Sequence, residues 1–360
     1  MRTQNSKLRT QNSNMTLPFE PACLPLLLGS LPHRSAAQAL EVSRRYAGAL
    51  LAWPQLPVRS FREQSFVQSA AGFPGLVIDT AHRRMYVDRA VAERGLDRLA
   101  LAYLKDDIDY AALAAEDAAG LQELLRQGEN LHGVQALKGQ LAGPISLAAH
   151  LVDDRQRPLI YDEVLVDAIC QHLRLRAAWQ EARLGEWGHA TIVCLDEPFL
   201  EAVGMPFLPL DWQTARDQID EVLGGVRGCK ALFAGGAVDW QAALQTSAEL
   251  IIADAYEHGQ ALVAAAGALA AFLERDGVVG LGLIPADEDT LRRVTAESLV
   301  GRLEALLGGL EQSGVARERL LRQAVVTPTD TLGWLSVAAA ERALRLISEV
   351  SRLLREQYGL

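Results

Sequence analysis

The sequence predicts a single closed (β/α)8 barrel, a TIM barrel, with an insertion after its second strand. Three observations predict it. Short apolar, β-branched runs alternate eight times with long amphipathic stretches, no linker or composition break divides the chain past its first residues, and 360 residues suffice for one barrel-sized core. The rival arrangement, a doubly wound open sheet, lacks the G-x-G-x-x-G turn expected after its first strand.

The strands are expected, in order, at 25–30, 51–56, 134–140, 190–196, 230–234, 249–254, 277–284 and 322–327. Each is a run such as ATIVCLD or GVVGLGLI, apolar on both faces as a strand covered by helices must be. Helices with apolar positions at i, i+3, i+4 and i+7 are expected at 36–51, 164–184, 298–310 and 338–354, with Ser35 and Ser336 as N-caps of the first and last. Between the second and third strands, 75–88 (GLVIDTAHRRMYVD) reads as a hairpin and 88–127 as helical. An insertion of that size at the loop end of a barrel forms a lid or a wall of the pocket.

Residues 1–14 repeat Arg-Thr-Gln-Asn-Ser in tandem and contain one large apolar side chain, Leu8, too little to offset the entropy of ordering them. No apolar segment with a cleavage site follows, so they are not read as a signal peptide. They are expected to be a disordered extension, with translation starting at Met15 and the barrel occupying 15–360.

With 35 Lys and Arg against 45 Asp and Glu, the formal charge of -10 argues against nucleic acid or an anionic membrane as partner, since either needs a basic face. The longest apolar stretches, such as 261–273, are too short and too Ala-rich to span a bilayer. Cys23, Cys170, Cys194 and Cys229 form no C-x-x-C pair and no regular spacing, which excludes a disulfide scaffold and a zinc ribbon. A cytoplasmic location is the expectation.

Functional groups of such a barrel sit just past the carboxyl ends of its strands. Those positions hold Gly29, Ser30 and His33; Gln55; Lys138 and Gln140; Asp196 and Glu197; Gly235, Gly236, Asp239 and Trp240; Asp254, Tyr256, Glu257 and His258; and Thr327, Thr329 and Asp330. They are rich in carboxylates and contain no cysteine. Asp254, Asp330 and His258 are the candidate catalytic groups. With Glu257 they are also the side chains that could hold a hard cation such as magnesium or manganese.

Three strings carry a family resemblance. Gly29-Ser30-Leu31-Pro32-His33, Lys138-Gly139-Gln140-Leu141-Ala142-Gly143-Pro144 and Leu195-Asp196-Glu197-Pro198-Phe199-Leu200 are similar to the catalytic barrel of cobalamin-independent methionine synthase, whose superfamily includes uroporphyrinogen decarboxylase. Trp53-Pro54-Gln55-Leu56-Pro57 and Asp254-Ala255-Tyr256 resemble a single-barrel branch of that family, and the resemblance runs from about residue 24 to the end. It implies a small amino acid or thiol as substrate, transfer of a methyl group to the thiol of homocysteine or a relative, and a folate or corrinoid-protein methyl donor. It also implies that Asp196 holds the substrate's amino group and that Gly29 and Ser30 contact its carboxylate. Glu63 is a weaker candidate for the amino group, since it reads as an exposed helical residue.

The resemblance further implies a zinc ion held by a His-x-Cys pair after the fifth strand, an acid after the sixth and a Cys after the eighth. Those positions correspond here to Phe233, Gly235, Asp254 and Asp330. Phenylalanine and glycine side chains offer no lone pair, and Asp330 replaces a soft thiolate by a hard carboxylate, so the zinc ligand set is broken. Cys194, inside the fourth strand, and Cys229, expected ahead of the fifth, are not placed to substitute. Three readings follow: an S-methyltransferase with a rearranged metal site, a metal-free enzyme using carboxylates for acid/base work, and a non-catalytic amino-acid-binding paralogue.

Overall fold

The structure, a computed structural model, describes residues 19–360 apart from Pro209; the expected extension 1–14 and the start at Met15 lie outside the described residues. The chain enters through β1 (Leu24–Pro25), passes the helix Ala36–Ala47 and returns as β2 (Leu50–Ala52). The insertion follows, with a hairpin of β3 (Leu76–Asp79) and β4 (Arg84–Val87) in antiparallel register, Leu76 opposite Val87. The wall resumes with β5 (Ala136–Ala142), β6 (Ala190–Glu197), β7 (Cys229–Ala234), β8 (Leu250–Asp254), β9 (Val278–Ile284) and β10 (Ala324–Pro328). All eight expected strands are present, within a few residues of their expected bounds.

These eight strands are parallel and ordered β1-β10-β9-β8-β7-β6-β5-β2. The sheet closes between β1 and β2 through single bridges, Leu26 to Leu50 and Ser30 to Gln55, where the neighbouring pairs share continuous ladders. This seam is secured by Gln55 N–H donating to the Gly29 carbonyl at 3.2 Å and Leu31 N–H to the Gln55 carbonyl at 2.9 Å. Side chains alternate across each strand. One set (Leu26, Leu28, Leu50, Ile192, Phe233, Ile252, Val325 and their neighbours) fills the barrel, and the other packs under the surrounding helices.

Ser35 and Ser336 cap their helices, each accepting from a backbone N–H three residues on. The first helix ends at Ala47, earlier than expected, because Leu50 and Leu51 are taken by the wall. The segment 88–127 is not one helix. Arg89–Leu104 stops where Asp106 adopts a left-handed backbone (φ 51°), two short 3-10 turns follow, and Ala119–Gln127 is a separate helix. Cys229 is the first residue of β7 rather than lying ahead of it, and it faces the barrel interior.

Two motifs noted separately in the sequence form one mechanical unit. Glu197, at the end of β6, accepts from Ile145 N–H (2.9 Å), Ser146 N–H (2.8 Å) and Ser146 Oγ (2.5 Å), capping the helix Pro144–His150 that follows β5. A Cβ at Gly143 would lie 2.2 Å from Glu197 Oε1, so only glycine lets this carboxylate in. Gly143→Ala is expected to destabilise the protein by about 1–3 kcal/mol in urea denaturation, through overpacking and loss of that cap. An unchanged midpoint would show that Glu197 has room to move aside.

Among the described residues no helix is long and apolar enough to cross a membrane.

Candidate active site at the carboxyl end of the barrel

Toward the carboxyl ends of the strands the barrel interior turns polar. Lys138 and Gln140 on β5, Asp196 on β6 and Thr327 on β10 are buried, and alternation puts them on the inward face shared with Ala136, Cys194 and Val325. Lys138 Nζ donates to the Leu28 carbonyl (3.0 Å) and to Gln140 Oε1 (3.3 Å), while Gln140 Nε2 donates to the Trp53 carbonyl (2.9 Å). Asp196 is 5% exposed and its Oδ1 has no partner among the described residues; Thr327 is 0% exposed and its Oγ has none either. Burial pushes the Asp196 carboxyl up to about 7, against the lowering pull of the Lys138 charge and with a further push from Asp330. Its neighbour Glu197 is also held near 7, by burial, but its oxygens are spent on the helix cap.

Above this layer lies a pocket of about 320 Å³. Phe233, Gly235 and Gly236 come to it from β7 and its loop, Asp254, Tyr256 and Glu257 from β8, Asp287 from beyond β9, and Thr329 and Asp330 from beyond β10. Asp254 Oδ1 accepts from the Tyr256 and Glu257 N–H groups, both at 2.9 Å, and Asp330 Oδ1 accepts from Thr331 N–H at 2.6 Å. Thr329 Oγ accepts from Ala286 N–H at 3.1 Å and so ties the loops after β9 and β10 together. Burial raises the Asp254 carboxyl despite those N–H groups and the neighbouring His258. Burial also raises Asp330, with the Asp254 charge adding, although the side chain still reaches solvent. Larger hollows of about 420 and 450 Å³ lie in the outer helical layer, beside Arg174 and beside Asp167, and neither is lined by a residue of the barrel strands.

The structure brings Phe233, Gly235, Asp254 and Asp330 into this one pocket, and Asp196 is the strand partner of Phe233. Gly29 and Ser30 stand apart at the seam. Gly29 has φ +132° and its Cβ would lie 2.5 Å from the Gln140 side chain, while Ser30 Oγ donates to Gln55 Oε1 at 3.3 Å. His258 sits beside Asp254 without lining the pocket, and His33 lies 3.6 Å from Glu341 on the last helix. Glu63 corrects its expectation. It is 0% exposed, in a 3-10 turn (Phe61–Glu63), and paired with Arg59, because the insertion folds over it.

Sequence reasoning missed Asp287, which follows β9; listing the residues past the seventh strand as for the others would have found it. It also missed that Lys138 is the buried countercharge acting on Asp196. All four cysteines are buried and burial holds their thiols above the ordinary range, so none is poised as a thiolate. Among the described residues no three His, Cys, Asp or Glu side chains stand close enough to hold a metal ion. Phe233 and Gly235, which line the pocket, offer no side-chain donor atom for a zinc ion.

No family profile matches the chain, and no curated protein matches it. Solved structures do. A methyltransferase from Methanosarcina mazei superposes with a TM-score of 0.58 at 11% identity, over 95% of this chain and 94% of that one. The likeness is one of fold. A protein from Listeria monocytogenes, provisionally assigned as a vitamin-B12-independent methionine synthase, matches with a TM-score of 0.45 at 13% identity over 67% of this chain and 70% of that one, too weakly to carry an argument. Identity this low establishes the barrel and leaves the chemistry to the site.

Proposed function

We propose that this chain is a barrel enzyme acting on a small molecule at the carboxyl end of its strands, by carboxylate acid/base chemistry and not through a zinc-held thiolate. One observation carries the reading: Asp196, with an unpartnered oxygen and a carboxyl held near 7, adjoins a pocket walled by Asp254 and Asp330. A carboxyl poised near neutrality serves as acid in one step and base in another. The Asp330 charge adds to the rise at Asp196, and the Asp254 charge to the rise at Asp330. Lys138 supplies the fixed positive charge that keeps the ionised form of Asp196 accessible.

A second reading is the reaction implied by the motif resemblance, methyl transfer to the thiol of homocysteine or a related small amino acid, with a folate or corrinoid protein as donor. What favours it is the convergence of Phe233, Gly235, Asp254 and Asp330 in one pocket. What opposes it is that two of the four side chains have no donor atom.

Elemental analysis of purified protein separates the two. Zinc far below one equivalent is expected, together with turnover or ligand-induced stabilisation that survives chelators; zinc near one equivalent overturns the proposal. As a complement, the triple change Phe233→His, Gly235→Cys, Asp330→Cys is expected to confer zinc binding, with Asp254 as fourth ligand. Space allows it, since the nearest atom to a Cβ at Gly235 is Pro198 Cα at 3.4 Å. If the triple variant takes up no zinc, the correspondence of these positions to a metal site is wrong.

A further inference from the structure

Taking the mouth pocket as the working site, we infer that its ligand is a small organic dication, a diamine with its two ammonium groups a few carbons apart. Asp254, Glu257, Asp287 and Asp330 line the pocket from three separate strand ends, and among the described residues lining it there is no Lys, Arg or His. Three of these carboxylates are fixed in place. Asp254, Asp287 and Asp330 each commit one oxygen to backbone N–H groups of their own loops. Yet among the described residues no three acids or other donors stand close enough to share one metal ion, so the negative charge is spread over the pocket and not focused on a point. Distributed charge of one sign is matched by a ligand whose own charges are separated.

Asp196 supplies the independent observation. Its Oδ1, on a side chain 5% exposed, is without a partner among the described residues, and Asp196 pairs across the wall with the pocket-lining Phe233 and feels the charge of the pocket-lining Asp330. Buried polar atoms of this kind are costly unless something satisfies them, and an ammonium group offers three N–H donors to do so. Phe233 gives the carbon stem an apolar wall. The Tyr256 ring already carries the Arg302 guanidinium against it, 4.1 Å from the ring centre. An amino acid suits this pocket poorly, because its carboxylate would face four others with no cation among the lining residues. At about 320 Å³ the pocket lies at the small end of organic ligand sites.

The test is calorimetric titration at low salt with 1,4-diaminobutane, 1-aminobutane, homocysteine and magnesium chloride, on the full chain and on the isosteric variants Asp254→Asn, Asp330→Asn and Asp196→Asn. The diamine is expected to bind at least about tenfold more tightly than the monoamine, and each variant to weaken it about tenfold. Added salt is expected to weaken it further. Equal affinity for mono- and diamine, tighter binding of magnesium, or no diamine binding overturns the inference. If homocysteine binds more tightly and loses affinity in the Asp variants, the inference fails while the mouth stays the site. If whatever binds is indifferent to all three variants, the mouth reading fails as well.

Discussion

Replacing Asp196 by Asn is expected to stabilise the protein above neutral pH while abolishing its working site. In the folded chain the Asp196 carboxyl is pushed from 3.8 to about 7, chiefly by burial. Between those values the unfolded chain has lost the proton and the folded chain keeps it, so stability falls as pH rises from about 4 to about 7 and stays low beyond. The cost of keeping an ionised carboxylate there at pH 8 is on the order of a few kcal/mol. Asn has the shape of the protonated acid and no charge. The variant is therefore expected to match the parent near pH 4 and to melt at least about 3 °C higher at pH 8. A residual slope will remain, since Glu197 is also held near 7. Turnover on the natural substrate is expected to drop by about 100-fold or more, as when a general acid/base is removed. A variant less stable than the parent at pH 8 would mean that Lys138 and Asp196 form a net stabilising pair, and the poised carboxyl would have to be abandoned.

The second large effect is expected away from the site, at Arg176. This residue of the helix Glu163–Leu184 is 1% exposed and, among the described residues, makes no ion pair, although the Asp117 charge acts on it. Its Nε donates to the Ala111 carbonyl at 2.5 Å, Nη1 to the Gln68 carbonyl at 2.6 Å and Nη2 to the Ala71 carbonyl. One guanidinium thus stitches the segment after β2 and the 3-10 turn Ile108–Ala111 of the insertion to the outer helix. Burial lowers its pKa to about 9, leaving it charged at neutral pH. Arg176→Met removes the donors and leaves three carbonyls facing apolar surroundings, a loss of about 3–5 kcal/mol by urea denaturation. Limited proteolysis is expected to cut first within 75–130, the part that loses its anchor. A loss under about 1 kcal/mol would show that water takes over from the guanidinium.

The barrel was legible because its strands are covered on both faces and so read as unbroken apolar runs, as in β6 and β9. The insertion was half legible. Its hairpin announces itself by two β-like runs around Ala81-His82-Arg83-Arg84, whereas the break after Leu104 depends on one left-handed Asp106 that periodicity does not register. In the site, strand-end logic found Asp196, Asp254 and Asp330 before any geometry was known. It misjudged Glu63 because exposure was inferred from its immediate neighbours, and what buries it is a segment some fifty residues further on, around Asp117. Lys138 was among the strand-end positions, but its action on Asp196 was not legible, because the two stand on different strands 58 residues apart in sequence.

The seam between β1 and β2 bears on how the protein is made. Leu24 pairs with Val325, so one edge of β1 waits for a strand about 300 residues later in the chain. At the usual pace of synthesis the ribosome needs roughly 15–60 s to deliver that partner. Through this interval β2 offers β1 only two isolated bridges, and the apolar face of Leu26 and Leu28 has no closed barrel to enter. The nascent protein therefore exposes its first strand for most of its time on the ribosome, and it is this strand, rather than the pocket or the insertion, that a chaperone holding the growing chain would be expected to cover.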